Sequence, residues 1–170
     1  MVEEMPSYAR PGALGQVEVL RQYRERQLLG ASPAEGVVLL YDGALRFVAQ
    51  AKEAIARGDI QSRHNANARA IAIVSYLMEI LDPEKGGDVA VRLMGIYAFL
   101  LKRLVRIDFE NSPEICDEVR GHLQTLKTSW DAIAAQERNN QVTAAQTPPP
   151  DAAATANHDQ AAPVRRSATA

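Results

Sequence analysis

One short stretch constrains this chain more than any other: Ser32-Pro33-Ala34-Glu35. A serine oxygen can accept a hydrogen bond from an orphan N–H at a helix start. Proline suits the first helical position, and a glutamate three residues on can reach back to the cap. Such a cap is worth about 1 kcal/mol. Behind it Val37, Tyr41, Ala44, Val48, Ala51 and Ile55 recur at spacings of four and three. That period predicts a helix over 33–56, stopped at Arg57-Gly58-Asp59, where Gly58 suits the C-terminal cap. Gly36 and Gly43 stand inside it and weaken it by about 1 kcal/mol each. They read as points where another backbone comes close. Val38, Leu39 and Leu45 fall off the seam, so this helix is more apolar than one core requires.

Three further amphipathic segments follow. The second, over 60–81, carries Ala66, Ala70, Ile73, Leu77 and Leu81. Asp82-Pro83-Glu84-Lys85-Gly86-Gly87 is a turn by composition, and Asp88 is positioned to cap the third helix. Val89, Leu93, Tyr97, Leu100, Leu104 and Ile107 form its seam. Asn111-Ser112-Pro113 repeats the serine–proline start signal. The last seam is Ile115, Val119, Leu123, Leu126, Trp130 and Ile133. No strand pattern competes. Long helices with short connections imply an all-α, antiparallel up-and-down four-helix bundle, each helix spanning roughly 30 Å.

The ends differ in composition. Residues 1–19 contain Pro6, Pro11, Gly12 and Gly15 and read as a flexible arm. Leu20 and Tyr23 lie three apart among charges, which suits a short helical cap segment that docks on the bundle. The bundle domain is expected over 20–137. From 138 to 170, Ala, Gln, Thr, Asn and Pro dominate, and this tail is expected to be disordered because it has too few large apolar groups to offset ordering entropy.

A net charge of −2 argues against a nucleic-acid or membrane-surface binder. No apolar run is long enough to span a bilayer, and Met1-Val2-Glu3-Glu4 lacks the hydrophobic core of a secretion signal. The single cysteine, Cys116, cannot form an internal disulfide, and no His or Asn signature marks it as a nucleophile. His64 and His122 lack the Glu-x-x-His spacing of a carboxylate-bridged metal bundle, and His158 falls in the tail. Gly86-Gly87 follows no strand and is no phosphate loop. Lys102, Arg103 and Arg106 read as a solvated face. The expectation is therefore a protein with no enzymatic activity, metal or cofactor. What remains is surplus apolar surface: Val38, Leu39, Leu45, Ile71, Met78, Met94, Leu101 and Val105. Together these suggest a groove for a partner's amphipathic helix.

Several ordered pieces resemble one known family. Leu20-Arg21-Gln22-Tyr23 is similar to its apolar-x-x-Tyr element, and Ala31-Ser32-Pro33 follows at the family's distance. Leu40-Tyr41-Asp42-Gly43-Ala44 matches its Leu-Tyr/Phe-Asp-Gly-Ala element, so the motif residues here are Ser32, Pro33, Tyr41, Asp42 and Gly43. The turn at 81–90, the run Leu93-Met94-Gly95-Ile96-Tyr97-Ala98-Phe99-Leu100 and the closing Leu126-x-x-x-Trp130 complete the resemblance. The family is that of the flagellar secretion chaperone FliS. The resemblance implies an antiparallel bundle in the cytoplasm that binds the C-terminal segment of flagellin, prevents its premature polymerisation and supports delivery to the flagellar type III export apparatus. Under that reading Val38, Leu45, Ile71, Met78 and Leu101 are the candidate flagellin-binding groove, and Leu20 and Tyr23 are a cap over part of it. The alternative is a helical adaptor whose main partner is a flagellar regulator, such as an anti-sigma factor, or an export-gate component. A homodimer of the free chain stays open. Gly36 departs from the family pattern, standing where a larger apolar residue is common, and the proline-rich tail has no family counterpart.

Overall fold

In the computed structural model, residues 18, 21–23, 25 and 32–146 are described. The expected arm up to residue 17, Leu20 and the tail beyond 146 lie outside them. The capping box at Ser32 forms as the sequence predicts. The Ser32 hydroxyl accepts from the Glu35 N–H at 3.2 Å, and the Glu35 carboxylate accepts from the Ser32 N–H at 3.3 Å. Helix α1 runs from Pro33 to Ala56, and Gly58, at φ 68°, turns the chain after it. Asp59 caps α2, Ile60–Glu79, by accepting from Ser62 N–H. Helix α3 spans Pro83–Glu110, and α4 spans Pro113–Gln146. Asn111, at φ 51°, ends α3, and the Ser112 hydroxyl accepts from Ile115 N–H to open α4.

Successive helices pack side by side, and α1 also packs on α4, closing a four-helix ring. Links of two or three residues leave each helix running against its predecessor. Among the described residues there is no strand. Helix α1 is the most enclosed element, because its contacts with α2 and α4 are the most extensive in the ring. Besides the expected Val37, Tyr41, Ala44, Val48 and Ala51, it buries Leu40 and Phe47. In the middle of the core the Tyr41 and Tyr97 hydroxyls meet at 2.5 Å, joining α1 to α3. Burial holds both phenols above the usual tyrosine range, so they stay protonated.

Four expectations about elements are corrected. Asp82 rather than Asp88 caps α3, with its carboxylate accepting from the Glu84 and Lys85 N–H groups. The helix then breaks its regular path at Gly87, whose φ of 50° suits glycine, before continuing. Val89, expected on the seam, follows that break and is 66% exposed. At the far end of α4, Ile133 is 43% exposed and Ala134 takes the inward place. The fourth correction concerns the tail boundary at 138, because α4 stays helical to Gln146. The cause is tertiary. The Glu137 carboxylate accepts from the orphan Ala34 N–H at 3.4 Å, and Arg138 pairs with Glu35 at 3.0 Å. The end of α4 is thereby tied to the start of α1.

Candidate functional site

An open apolar surface lies between α3 and α4. Arg92, Gly95, Ile96 and Phe99 occupy one stripe of α3, while His122, Thr125 and Leu126 face them from α4. They enclose a cleft of about 630 Å³. Gly95 leaves its floor empty, since a Cβ there would meet nothing within 4 Å. Phe99 is 40% exposed, and its ring stands edge-on to His122 with centroids 5.4 Å apart. The cleft is an apolar slot between two long helices, a geometry that accepts the greasy face of a third helix.

A second apolar pocket, about 250 Å³, lies at the end of the bundle among Pro33, Val37, Leu77, Leu81, Tyr97 and Trp130. Tyr23 closes it. The Tyr23 ring is buried and stands edge-on to Tyr76 at 5.8 Å. It also explains Gly36. A Cβ at that position would lie 2.6 Å from Cε2 of Tyr23. The close approach at Gly36 is therefore an aromatic ring, not the backbone that the helix-weakening glycine suggested.

Of the candidate groove residues, Val38 lines a shallow cleft between α1 and α4 together with Asp42, Asp131 and Arg138. Leu45, Ile71, Met78 and Leu101 are half-buried and packed against the core. None of the five lines the α3/α4 cleft. Sequence reasoning missed Ile96, Phe99 and Leu126 as cleft residues. The signal was present in Gly95, a missing side chain between two apolar ones, but the looseness of the α3/α4 contact is visible only in three dimensions. Leu20 lies outside the described residues.

The motif residues sort by role. Ser32 caps α1, Pro33 opens it, and Tyr41 and Gly43 are buried. Asp42 is exposed and faces Lys127 at 3.5 Å. Lys127 also pairs with Asp131 at 2.9 Å, and these carboxylates, Asp131 foremost, hold its ammonium above the usual lysine range. Cys116 is fully buried, and that burial pushes its thiol up to about 11. Among the described residues no three His, Cys, Asp or Glu side chains gather as metal ligands, and no helix is long and apolar enough to cross a membrane.

The described residues form an all-α bundle with two apolar openings, a surface that fits the apolar faces of helices. Comparison with known proteins goes further. Residues 17–137 match the family described as flagellar protein FliS, and the chain belongs to that family. It is similar to the flagellar secretion chaperone FliSB of Pseudomonas aeruginosa, at 34% identity over 69% of this chain and 97% of the relative. It resembles the flagellar secretion chaperone FliS of Campylobacter jejuni, at 36% identity over 68% of this chain and 90% of the relative. For that of Salmonella typhimurium the identity is 30%, over 65% and 82%. The family is one of chaperones, not enzymes.

Proposed function

We propose that this chain is a cytoplasmic export chaperone that holds the C-terminal segment of flagellin, keeps it from polymerising early and supports its delivery to the flagellar type III export apparatus. The observation that carries the reading is the apolar α3/α4 cleft, about 630 Å³, on a member of a secretion-chaperone family. Ile96, Phe99 and Leu126 take the apolar face of a flagellin helix. Val38, Leu45, Ile71, Met78 and Leu101 extend the contact where their half-buried side chains reach the surface. Tyr23 covers the end pocket in the free chain and is lifted when the partner binds there, which lowers apparent affinity by the closed fraction.

Calorimetric titration against full-length flagellin and flagellin lacking its C-terminal segment tests this. Binding to the full-length protein and loss with the truncated one is the expected result. Equal binding to both would overturn the proposal. Burying a phenylalanine is worth ~1.5–3 kcal/mol. Phe99→Asp should therefore weaken binding at least tenfold, about 1.4 kcal/mol. Its exposure predicts an unchanged fold, to be checked by the melting temperature.

A further inference from the structure

The opposite side of the bundle, between α1 and α2, carries a polar groove of about 310 Å³. From α1 it is lined by Gln50 and Glu53, from the cap just after α1 by Arg57, and from α2 by Ser62, Asn65 and Arg69. Beside it, Arg46 and Arg69 both stack on the Phe47 ring, with guanidinium carbons 5.1 and 5.5 Å from its centroid. Stacking fixes the planar groups while leaving their N–H forks to bond elsewhere. On other faces most cations are paired: Lys52 with Asp117, Arg63 with Asp108, Lys127 with Asp131, Arg138 with Glu35. Among the described residues Arg46, Arg57 and Arg69 are in no ion pair. Arg46 and Arg57 are exposed, so a carboxylate from outside can reach them.

We propose that this groove docks an acidic amphipathic helix of a partner protein, with carboxylates spaced along its face accepting from Arg46, Arg69 and Arg57. The spacing selects a peptide over a small anion. Arg57, the cap residue that continues the helical path of α1, stands eleven residues after Arg46 on the same face, about 16 Å at the helical rise. One phosphate cannot bridge that distance, whereas carboxylates three helical turns apart on a partner helix can. Two acids bear on the groove. Glu53 sits on its wall and repels a dianion lodged beside it more than carboxylates placed on either side. Asp59, already engaged by Ser62, lies near Arg57. Gln50 and Asn65 add amide donors for the partner's side chains. This surface is distinct from the apolar α3/α4 cleft, so it can be occupied while the cleft holds its own partner.

The test uses the full chain and a fluorescein-labelled, end-capped Ala-rich helical peptide with Glu at positions i, i+4, i+7 and i+11, read by anisotropy. The same peptide with Gln at those positions is the neutral control. The Glu peptide is expected to bind at least tenfold more tightly than the Gln peptide, and to weaken as salt rises from about 50 to about 300 mM. Arg46→Gln/Arg57→Gln and, separately, Arg69→Gln should each weaken it at least tenfold. Lys85→Gln/Lys102→Gln, which removes cations from α3, should leave it unchanged. Arg46 and Arg57 are exposed, so the first pair tests the groove even where Arg69→Gln disturbs packing. No binding of the Glu peptide, equal binding by all variants, or an equal loss in the α3 control would overturn the proposal. Displacement by millimolar inorganic phosphate would replace it with a small-anion site, and tighter binding of a short oligonucleotide would replace it with a nucleic-acid surface.

Discussion

Gly36 and Tyr23 form a pair whose coupling can be measured. Glycine inside a helix costs about 1 kcal/mol relative to alanine. Gly36→Ala should therefore stabilise α1 if nothing else changed. The added Cβ, however, would lie 2.6 Å from Cε2 and 3.0 Å from Cδ2 of the Tyr23 ring. Ordinary carbon contacts need about 3.5–4.0 Å, so the ring must retreat by roughly 1 Å. Tyr23 is only 7% exposed, and a displaced ring forfeits much of the ~1.5–3 kcal/mol its burial supplies. In the natural chain Gly36→Ala should thus destabilise by about 0.5–2 kcal/mol after the propensity gain is deducted. With Tyr23→Ala already present the clash is gone, and the same substitution should stabilise by about 1 kcal/mol. Urea unfolding of the four chains, followed by far-UV circular dichroism, closes the double-mutant cycle. The expected coupling is ~1.5–3 kcal/mol, and the sign of the Gly36→Ala effect should reverse between backgrounds. Additivity within about 0.5 kcal/mol would mean that Tyr23 does not rest on Gly36 in solution and would refute the reasoning.

The other predictions concern the core and the caps. Tyr97→Phe should destabilise by about 1 kcal/mol in urea unfolding, because the buried Tyr41 hydroxyl loses one of its two partners and keeps only Trp130. With its thiol pushed up to about 11 by burial, Cys116 should not react with a disulfide reagent at pH 8 until the protein is unfolded; a fast stoichiometric reaction of the native chain would contradict its placement. Hydrogen bonds from the Ser62 hydroxyl and N–H to Asp59, and from the Lys85 N–H to Asp82, hold both carboxyls below the usual aspartate range. Because the folded values are depressed, this stabilisation is present above the unfolded value and is lost as pH falls below about 4 through the folded values. Asp59→Asn and Asp82→Asn should each flatten the fall of melting temperature on acidification; an unchanged slope in both would show that the caps do not contribute.

Much of the fold was legible because it is local. A capping serine, a proline at the first turn and apolar residues every three or four positions act within a few residues of one another. The bounds of α1 and the start of α4 could therefore be read directly, as could most of the inward residues. The same locality explains the misses. Asp82 and Asp88 both stand before a run of helix-compatible residues, and only the backbone path through Gly87 decides which one caps. Residues 138–146 look like tail by composition, yet Glu137 and Arg138 reach Ala34 and Glu35, more than a hundred positions earlier. The Phe99 cleft, the Tyr23 ring over Gly36 and the unpaired arginines around Phe47 all depend on which helices lie side by side and how closely. An amphipathic pattern states which face turns inward, but not how wide that face is or where two helices stand apart. The amino-acid order by itself determined the helices, their turns and their family. The grooves were decided by packing, because a groove is the space left between side chains that the chain brings together from distant positions.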